Sequence, residues 1–213
     1  NQRTVGYLWI STDYCMQETP MVYAMLTVMN SSVIDLCLLK EKDSLVEKLD
    51  SMYVRDELTK LYNRFGMRRY VEKILQVAKR DGKHIMCIEM DLDGLKRIND
   101  TYGHDAGDNA IVQIANAMRQ ASERREVCIR SGGDEFLVFG IAEKESDARS
   151  FIRRVEDCLD EYNSRNQWPY QVACSCGYYV RRASEINSLE EMVTEADKLL
   201  YMVKARRRTT RTS

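Results

Sequence analysis

The most constraining feature of the sequence is a pair of adjacent glycines between two short apolar runs. Residues 127–129 (Val-Cys-Ile) precede Gly132 and Gly133, and residues 136–139 (Phe-Leu-Val-Phe) follow them. Apolar, β-branched and aromatic residues on both sides of a Gly-Gly pair predict two strands joined by a tight hairpin. Glycine also lets the backbone approach a bulky ligand closely, because it has no side chain. The stretch therefore predicts a hairpin whose turn can lie against a ligand.

Two carboxylates, Asp134 and Glu135, follow the glycines directly. Hard divalent cations prefer oxygen ligands, so an acidic glycine turn suits a metal. A surface hairpin in which Asp134 only stabilises the turn explains this stretch equally well, because turns favour the same residues. A second acidic cluster upstream, Asp91 and Asp93, closes a near-continuous apolar run at residues 85–90 that predicts a central strand. If this strand pairs beside the hairpin, the two acidic clusters converge. Clustered carboxylates repel one another unless a cation neutralises them, so the converged acids predict a Mg²⁺ site and phosphoryl or nucleotidyl transfer.

Composition limits the partners and the compartment. The chain carries 32 Lys and Arg against 33 Asp and Glu, which implies no general affinity for nucleic acid or acidic lipid. The 7 cysteines are odd in number and form no C-x-x-C motif, so we expect reduced core residues in a cytoplasmic protein. A metal role for the pair Cys174 and Cys176 is a less favoured alternative. Asp35 and neighbouring polar residues interrupt the most apolar window, residues 21–39, which favours a soluble helix over a membrane span.

The chain divides into three predicted segments. Residues 1–18 hold a strand-like run at 5–10 that we assign to the remnant of an upstream sensor-type domain, and the missing start methionine suggests a fragment of a longer protein. Residues 19–54 predict a long linker helix with a weak heptad seam. We favour a dimerising signal helix over a connector helix packed on its own domain. The seam comprises Asp35, Leu38, Lys42, Leu45, Leu49 and Met52.

Residues 55–213 form the third segment, in which helical and strand-like patterns alternate. Helices are predicted at residues 64–80, 105–121, 147–163 and 189–204. Strands are predicted at 85–90, in the hairpin and at 172–180. This alternation predicts an α/β fold with a mixed sheet covered by helices.

Four motifs in order resemble one family. Gly132 to Phe136 spells G-G-D-E-F, the name of the GGDEF domain of diguanylate cyclases. The opening D-x-L-T-x-L-x-N-R block is similar to residues 56–64, and the second block to residues 91–108. The closing A-D-x-A-L-Y-x-A-K block is similar to residues 196–204. The resemblance covers about residues 50–208.

The resemblance implies a polymerase-palm or nucleotidyl-cyclase-like fold that joins two GTP into cyclic di-GMP and releases pyrophosphate. Each protomer of a homodimer would hold one GTP, with Mg²⁺ (or Mn²⁺) as the cofactor. By the resemblance, Asp91 and Asp134 would bind the metal together with the Leu92 carbonyl. Glu135 would bind a second metal and help to deprotonate the 3′-hydroxyl.

The same resemblance implies a set of substrate-binding residues. Two of them would read guanine, because an aspartate that accepts from guanine N1–H and N2–H₂ would stay unpaired with adenine. The others would contact phosphates through lysine or arginine side chains or glycine backbone amides. The guanine pair is Asn99 and Asp108, and the phosphate set is Lys96, Gly132, Gly133, Lys204 and Arg208.

The chain departs from the family pattern at two places. Glu123 and Glu126 replace the R-x-x-D product-inhibition motif, so we expect no inhibition by that route. Arg207 stands where the family usually has glycine, so the last helix is expected to run on. The alternative to an active cyclase is a catalytically silent GGDEF module that binds GTP or a protein partner, although intact Asp91, Asp134 and Glu135 favour activity. A cyclase that makes mixed dinucleotides is disfavoured by Asp108.

Overall fold

The computed structural model describes residues 33–35, 38–40, 42, 53–123, 125–165 and 168–210, with the side chains of 208–210 excepted. The chain divides into two compact units, Asn1–Asp50 and Ser51–Ser213. The described residues of the first unit are helical. The predicted strand at 5–10 and most of the predicted helix at 19–54 lie outside the described residues. Among the described helices, none is long and apolar enough to cross a membrane.

The second unit is built from alternating helices and strands, which confirms the predicted α/β class. Its described elements are α1 (Arg64–Arg80), β1 (His84–Leu92), α2 (Leu95–Tyr102), α3 (His104–Ala121), β2 (Glu126–Gly132), β3 (Glu135–Ala142), α4 (Ser146–Arg165), β4 (Cys174–Arg182), a 3₁₀ turn (Ala183–Glu185) and α5 (Leu189–Thr210).

The sheet is antiparallel, which corrects the expectation of a mixed sheet. Its four strands lie in the order β2-β3-β1-β4, and each neighbouring pair is antiparallel. Helical connections do join strands that run in the same direction, β1 to β2 and β3 to β4. In both cases another strand lies between the two, so that they never pair. Within the described part of the chain, an isolated bridge from Tyr62 to Ile129 is parallel.

Helices cover both faces of the sheet and create two cores. On one face, α1 and α5 pack on side chains of β1 such as Ile85 and Cys87. On the other face, α3 and α4 pack on Met86, Ile88 and Met90. Successive strand residues point to opposite faces. Position 91, like 85 and 87, therefore belongs to the face covered by α1 and α5.

Local signals explain where the helices begin and end. The Asn63 side chain accepts hydrogen bonds from two amides of the first turn of α1, and the Ser188 hydroxyl accepts from the Glu191 amide at the start of α5. Helix α5 continues past Arg207 to Thr210, as the replacement of glycine predicted. The short helix α2 was not predicted. It follows Gly94, whose φ of 78° lies in the left-handed region.

Candidate functional site

The two acidic clusters meet at one edge of the sheet. Asp91 lies near the end of the central strand β1, opposite Glu135 of β3 on one side and Ser175 of β4 on the other. The Leu92 amide donates a hydrogen bond to the Asp134 carbonyl over 3.1 Å. Strand pairing therefore brings together residues about forty positions apart in sequence.

Two arginine side chains donate hydrogen bonds to backbone carbonyls of the glycine turn. Gly132 pairs with Glu135, so Gly133 and Asp134 form the loop, and the φ of 45° at Gly133 favours glycine there. Arg130 donates to the Gly133 carbonyl over 2.8 and 3.0 Å. Arg64 of α1 donates to the Ser131 carbonyl over 2.5 Å. These bonds fix the loop that carries Asp134 against the edge of β1.

A cavity of about 340 Å³ opens where the strands end. It contains both charge types that a metal-nucleotide complex requires, carboxylates for the metal and lysines or arginines for phosphates. Its lining residues are Asp91, Leu92, Asp93, Gly94, Leu95, Lys96, Asp134, Ser175, Lys204 and Arg207.

The Asp91 carboxylate in this cavity is partly buried and lies near both a cation and other acids. The Lys204 ammonium lies 2.7 Å from the Asp91 carboxylate. Burial raises the pKa of Asp91 and outweighs the bond to Lys204, which lowers it, while Asp134 and Asp93 add to the rise. Lys204 therefore does not fully offset burial and the neighbouring acids, and a further cation beside Asp91 would stabilise its charged form.

Glu89 is a neighbouring acid that the sequence motifs did not indicate. Burial raises its pKa to about 7, with further contributions from Asp197, Glu135 and Asp91. Its Oε2 atom is buried and has no hydrogen-bond partner among the described residues. The available signal was a lone acid within an otherwise apolar strand, two residues before Asp91 and hence on the same face.

The donors present at this edge fit a hard divalent cation. Within the described residues, no three Asp, Glu, His or Cys side chains are close enough together to hold a metal ion. The cavity is nevertheless lined by Asp91, Leu92 and Asp134, and by Asp93, which pairs with Arg207. An all-oxygen donor set with few protein ligands is typical of Mg²⁺, which usually completes its shell with water and substrate phosphates. Mn²⁺ accepts the same ligands.

Several predicted site residues lie away from this cavity. Gly132 and Gly133 line a separate groove of about 390 Å³ together with Arg64, Arg130 and neighbouring residues. Glu135 is exposed at the edge of the sheet. The side chain of Arg208 lies outside the described residues.

The two predicted guanine-binding residues lie on α2 and α3. Asn99 packs so closely on α3 that a β-carbon on Gly107 would come within 1.9 Å of the Asn99 Oδ1 atom. That oxygen is buried and has no hydrogen-bond partner in the described part of the chain. Asp108 is exposed one residue after Gly107. Helix packing therefore brings Asn99 close to the helix that carries Asp108, but neither residue lines the metal-type cavity.

The two glutamates at the R-x-x-D positions are part of a polar network. The Glu126 carboxylate accepts hydrogen bonds from the Ser122 hydroxyl over 3.1 Å and from the Glu123 amide over 3.0 Å. Arg154 lies 3.8 Å from Glu123 and 3.9 Å from Glu126. The Glu126 side chain is thus hydrogen-bonded to residues that precede β2.

Sequence comparisons agree with the motifs. The family model described as "Diguanylate cyclase, GGDEF domain" matches residues 53–210. The "Probable diguanylate cyclase DgcJ" of Escherichia coli strain K12 is 32% identical over 151 residues, which cover 71% of this chain and 29% of the relative. "Diguanylate cyclase DgcS" of Shewanella oneidensis is 32% identical over 151 residues, 70% of this chain and 49% of the relative. The chain thus spans less than half the length of these two relatives.

Solved structures share the fold. The diguanylate cyclase SiaD of Pseudomonas aeruginosa, crystallised in complex with its activator SiaC, aligns with a TM-score of 0.71 and 27% identity over 89% of this chain and 72% of that one. The GGDEF domain of DgcB from Caulobacter crescentus, crystallised with c-di-GMP, aligns with a TM-score of 0.63 and 26% identity over 71% of this chain and 90% of that one. With four motifs in order and a family match from residue 53 to residue 210, the chain belongs to the GGDEF family of diguanylate cyclases.

Proposed function

We propose that this chain is a diguanylate cyclase that condenses two GTP molecules into cyclic di-GMP and releases pyrophosphate. The observation that carries the proposal is the cavity at the sheet edge, where Asp91 and Asp134 lie beside Lys96 and Lys204. Carboxylates for a metal and lysines for phosphates in one cavity suit nucleotidyl transfer better than a hairpin with a purely structural role. The names of the relatives point to the same reaction.

Asp91, Asp134 and the Leu92 carbonyl would hold Mg²⁺ (or Mn²⁺), with Glu135 contributing to a second metal. When bound, the metal would supply positive charge at the α-phosphate. Glu135 lies at the exposed start of β3, which supports a role toward a hydroxyl of a second nucleotide. There it would take the proton from the 3′-hydroxyl as that oxygen attacks the α-phosphorus and pyrophosphate leaves.

The remaining residues would bind the substrate. Lys204 would leave Asp91 and bind the β- and γ-phosphates, and Arg208 and Lys96 would also contact phosphates. The glycine turn would present its backbone amides to a phosphate. Asn99 and Asp108 would read guanine, and the buried, unpaired oxygen of Asn99 supports a site that is completed by a hydrogen-bond donor.

Each chain would hold one GTP, so catalysis requires a homodimer that brings two α-phosphates and two 3′-hydroxyls into line. An upstream sensor domain would control how the two chains meet. Glu123 and Glu126 would repel the phosphates of the product, so we expect no product inhibition at that surface. We expect no nucleic acid partner, and we assign the activity to the cytoplasm.

One observation favours a second candidate function. The Asp91 carboxylate is bonded to Lys204, so a proposed metal ligand already has a cationic partner. A catalytically silent GGDEF module that binds GTP or a protein partner would keep this ion pair. We favour the active enzyme because all three acidic residues are present.

The test is to incubate the purified protein with Mg²⁺ and GTP, ATP or both, and to resolve the products by chromatography and mass spectrometry. The proposal predicts cyclic di-GMP from GTP alone and no mixed or adenine dinucleotide. Binding of GTP without any product would identify a silent module. A mixed dinucleotide would show that Asp108 does not select guanine.

A further inference from the structure

Two ion pairs connect the last helix to the end of the central strand. Lys204 lies 2.7 Å from Asp91, and Arg207 lies 2.7 Å from Asp93. Residues three apart on a helix share a face and advance about 4.5 Å, whereas residues two apart on an extended chain advance about 6.6 Å. The two long side chains bridge this difference, so one face of α5 contacts both carboxylates.

The Arg207 contact is the more extensive of the two. Besides Asp93, the same nitrogen donates to the Ser175 hydroxyl over 3.1 Å and lies 3.2 Å from the Cys174 carbonyl. The Ser175 hydroxyl in turn donates to Asp93 over 2.7 Å. Ser175 is fully buried, so its hydroxyl is held in place. Arg207 therefore ties the end of α5 to both β1 and β4.

A second anchor lies earlier in α5, at Gly177 of β4. A β-carbon on Gly177 would come within 2.2 Å of the Ala196 carbonyl oxygen and 2.3 Å of the Leu200 amide nitrogen. Strand and helix backbones are thus in direct contact there. Lys204 lies one turn beyond Leu200 and one turn before Arg207, so it is held between two fixed points.

We propose that Arg207 is a positioning residue that keeps Lys204 over the cavity when Lys204 leaves Asp91 for the substrate phosphates. This inference rests on the proposed function, in which Asp91 turns to a metal and Lys204 turns to the triphosphate. Asp93 is not among the proposed metal ligands, so its bond to Arg207 persists when the Asp91–Lys204 pair breaks. The end of α5 then keeps its place without the first ion pair.

The inference is tested by a double-mutant cycle on the whole chain with Arg207→Gln, Asp93→Asn and both together. Calorimetry measures binding of GMP and of a GTP analogue with a methylene group between its α- and β-phosphates, in Mg²⁺. Each single change should weaken the analogue about tenfold, a loss of about 1.4 kcal/mol. The double change should weaken it no further, because both substitutions break one contact. GMP binding should stay within about twofold, since Lys204 serves the distal phosphates.

Two further variants complete the design. Lys198→Gln removes the same charge from an exposed position of α5, where Lys198 pairs with Glu195, and should bind like the unaltered protein. Arg207→Lys keeps the charge but not the planar fork, so it should restore part of the affinity. Circular dichroism confirms that each variant is folded.

Three results would overturn the inference while leaving the proposed function intact. If Arg207→Gln weakens the analogue and Asp93→Asn does not, Arg207 contacts phosphate itself. If neither change alters binding of the analogue, the Arg207–Asp93 pair does not position Lys204. If GMP and the analogue weaken equally, the pair only supports the fold. Failure of the unaltered protein to bind the analogue would instead overturn the proposed function and this inference with it.

Discussion

At the scale of single residues, Asp56 shows how a partly buried charge supports the glycine turn. Its Oδ1 atom accepts hydrogen bonds from the Thr59 amide over 2.7 Å and the Thr59 hydroxyl over 2.6 Å, and Arg130 donates to the same carboxylate over 3.1 Å. Arg130 also holds the Gly133 carbonyl. Burial alone would raise the pKa of Asp56, but the bonds from Thr59 and Arg130 outweigh it and lower the pKa.

We predict that Asp56→Asn destabilises the domain at pH 7 by about 1–3 kcal/mol, because Arg130 loses a charged partner. A carboxyl group whose pKa is lowered by folding stabilises the protein above its unfolded pKa, and that contribution disappears as the pH falls through the folded pKa. The difference between the variant and the unaltered protein should therefore shrink below pH 4. Urea unfolding between pH 3 and pH 7 measures it, with Glu57→Gln, an exposed neighbour, as the control. A penalty that is constant over this range would contradict the assigned charge network.

The sequence indicated which acidic residues belong to the site but not all of their contacts. Asp91 ends a strand-like run and Asp134 follows a glycine pair, so the sequence predicted that they meet if the two strands pair, but not that the strands are neighbours. The ion pair between Asp91 and Lys204 could not be foreseen, because it depends on how α5 crosses the sheet. Glu89 was missed for the same reason, since its raised pKa results from burial and from acids on other elements.

At the scale of elements, long periodic segments were predictable and short polar ones were not. The predicted helix at residues 64–80 has the same limits as α1. Helix α2 has only 8 residues, of which Ile98 is buried, so it is too short for its apolar spacing to distinguish a helix from a turn. The antiparallel sheet could not be derived from alternating helices and strands, because that pattern gives the direction of each strand but not which strands are neighbours.

We predict that Gly177→Ala strongly destabilises the domain, by about 3 kcal/mol or more. The new methyl group would meet backbone atoms of Ala196 and Leu200, which cannot move without shifting α5 off β4. Thermal unfolding by circular dichroism measures the loss. Ser184→Ala, at an exposed position just after β4, serves as the control. A melting temperature within about 2 °C of that of the unaltered protein would show that α5 can move away from β4 with little loss of stability.

At the scale of the whole molecule, the first unit exposes apolar helical residues. Val33, Ile34, Leu38 and Leu39 are each more than half exposed. The heptad seam predicted in this segment includes Leu38, and a second copy of the helix would cover such a surface. The seam otherwise lies largely outside the described residues, so the dimerising helix stays a prediction.

We predict that two chains associate when nucleotide binds, because each proposed site supplies half of the reacting groups. Light scattering should show the mass of a dimer in Mg²⁺ with the GTP analogue, and specific activity should rise with protein concentration. A monomer that is fully active at every concentration would contradict the two-chain mechanism.

Product formation by Glu135→Gln tests the central claim most directly. Glutamine keeps the size of the side chain but cannot take a proton, so the rate of cyclic di-GMP formation should fall by about 100-fold or more. Binding of the GTP analogue should persist, because Lys204 and the proposed guanine-binding residues are unchanged. The matched control is Glu143→Gln at the other end of β3, where Glu143 is exposed and pairs with Lys83. An unchanged rate in Glu135→Gln would contradict the proposed catalytic site.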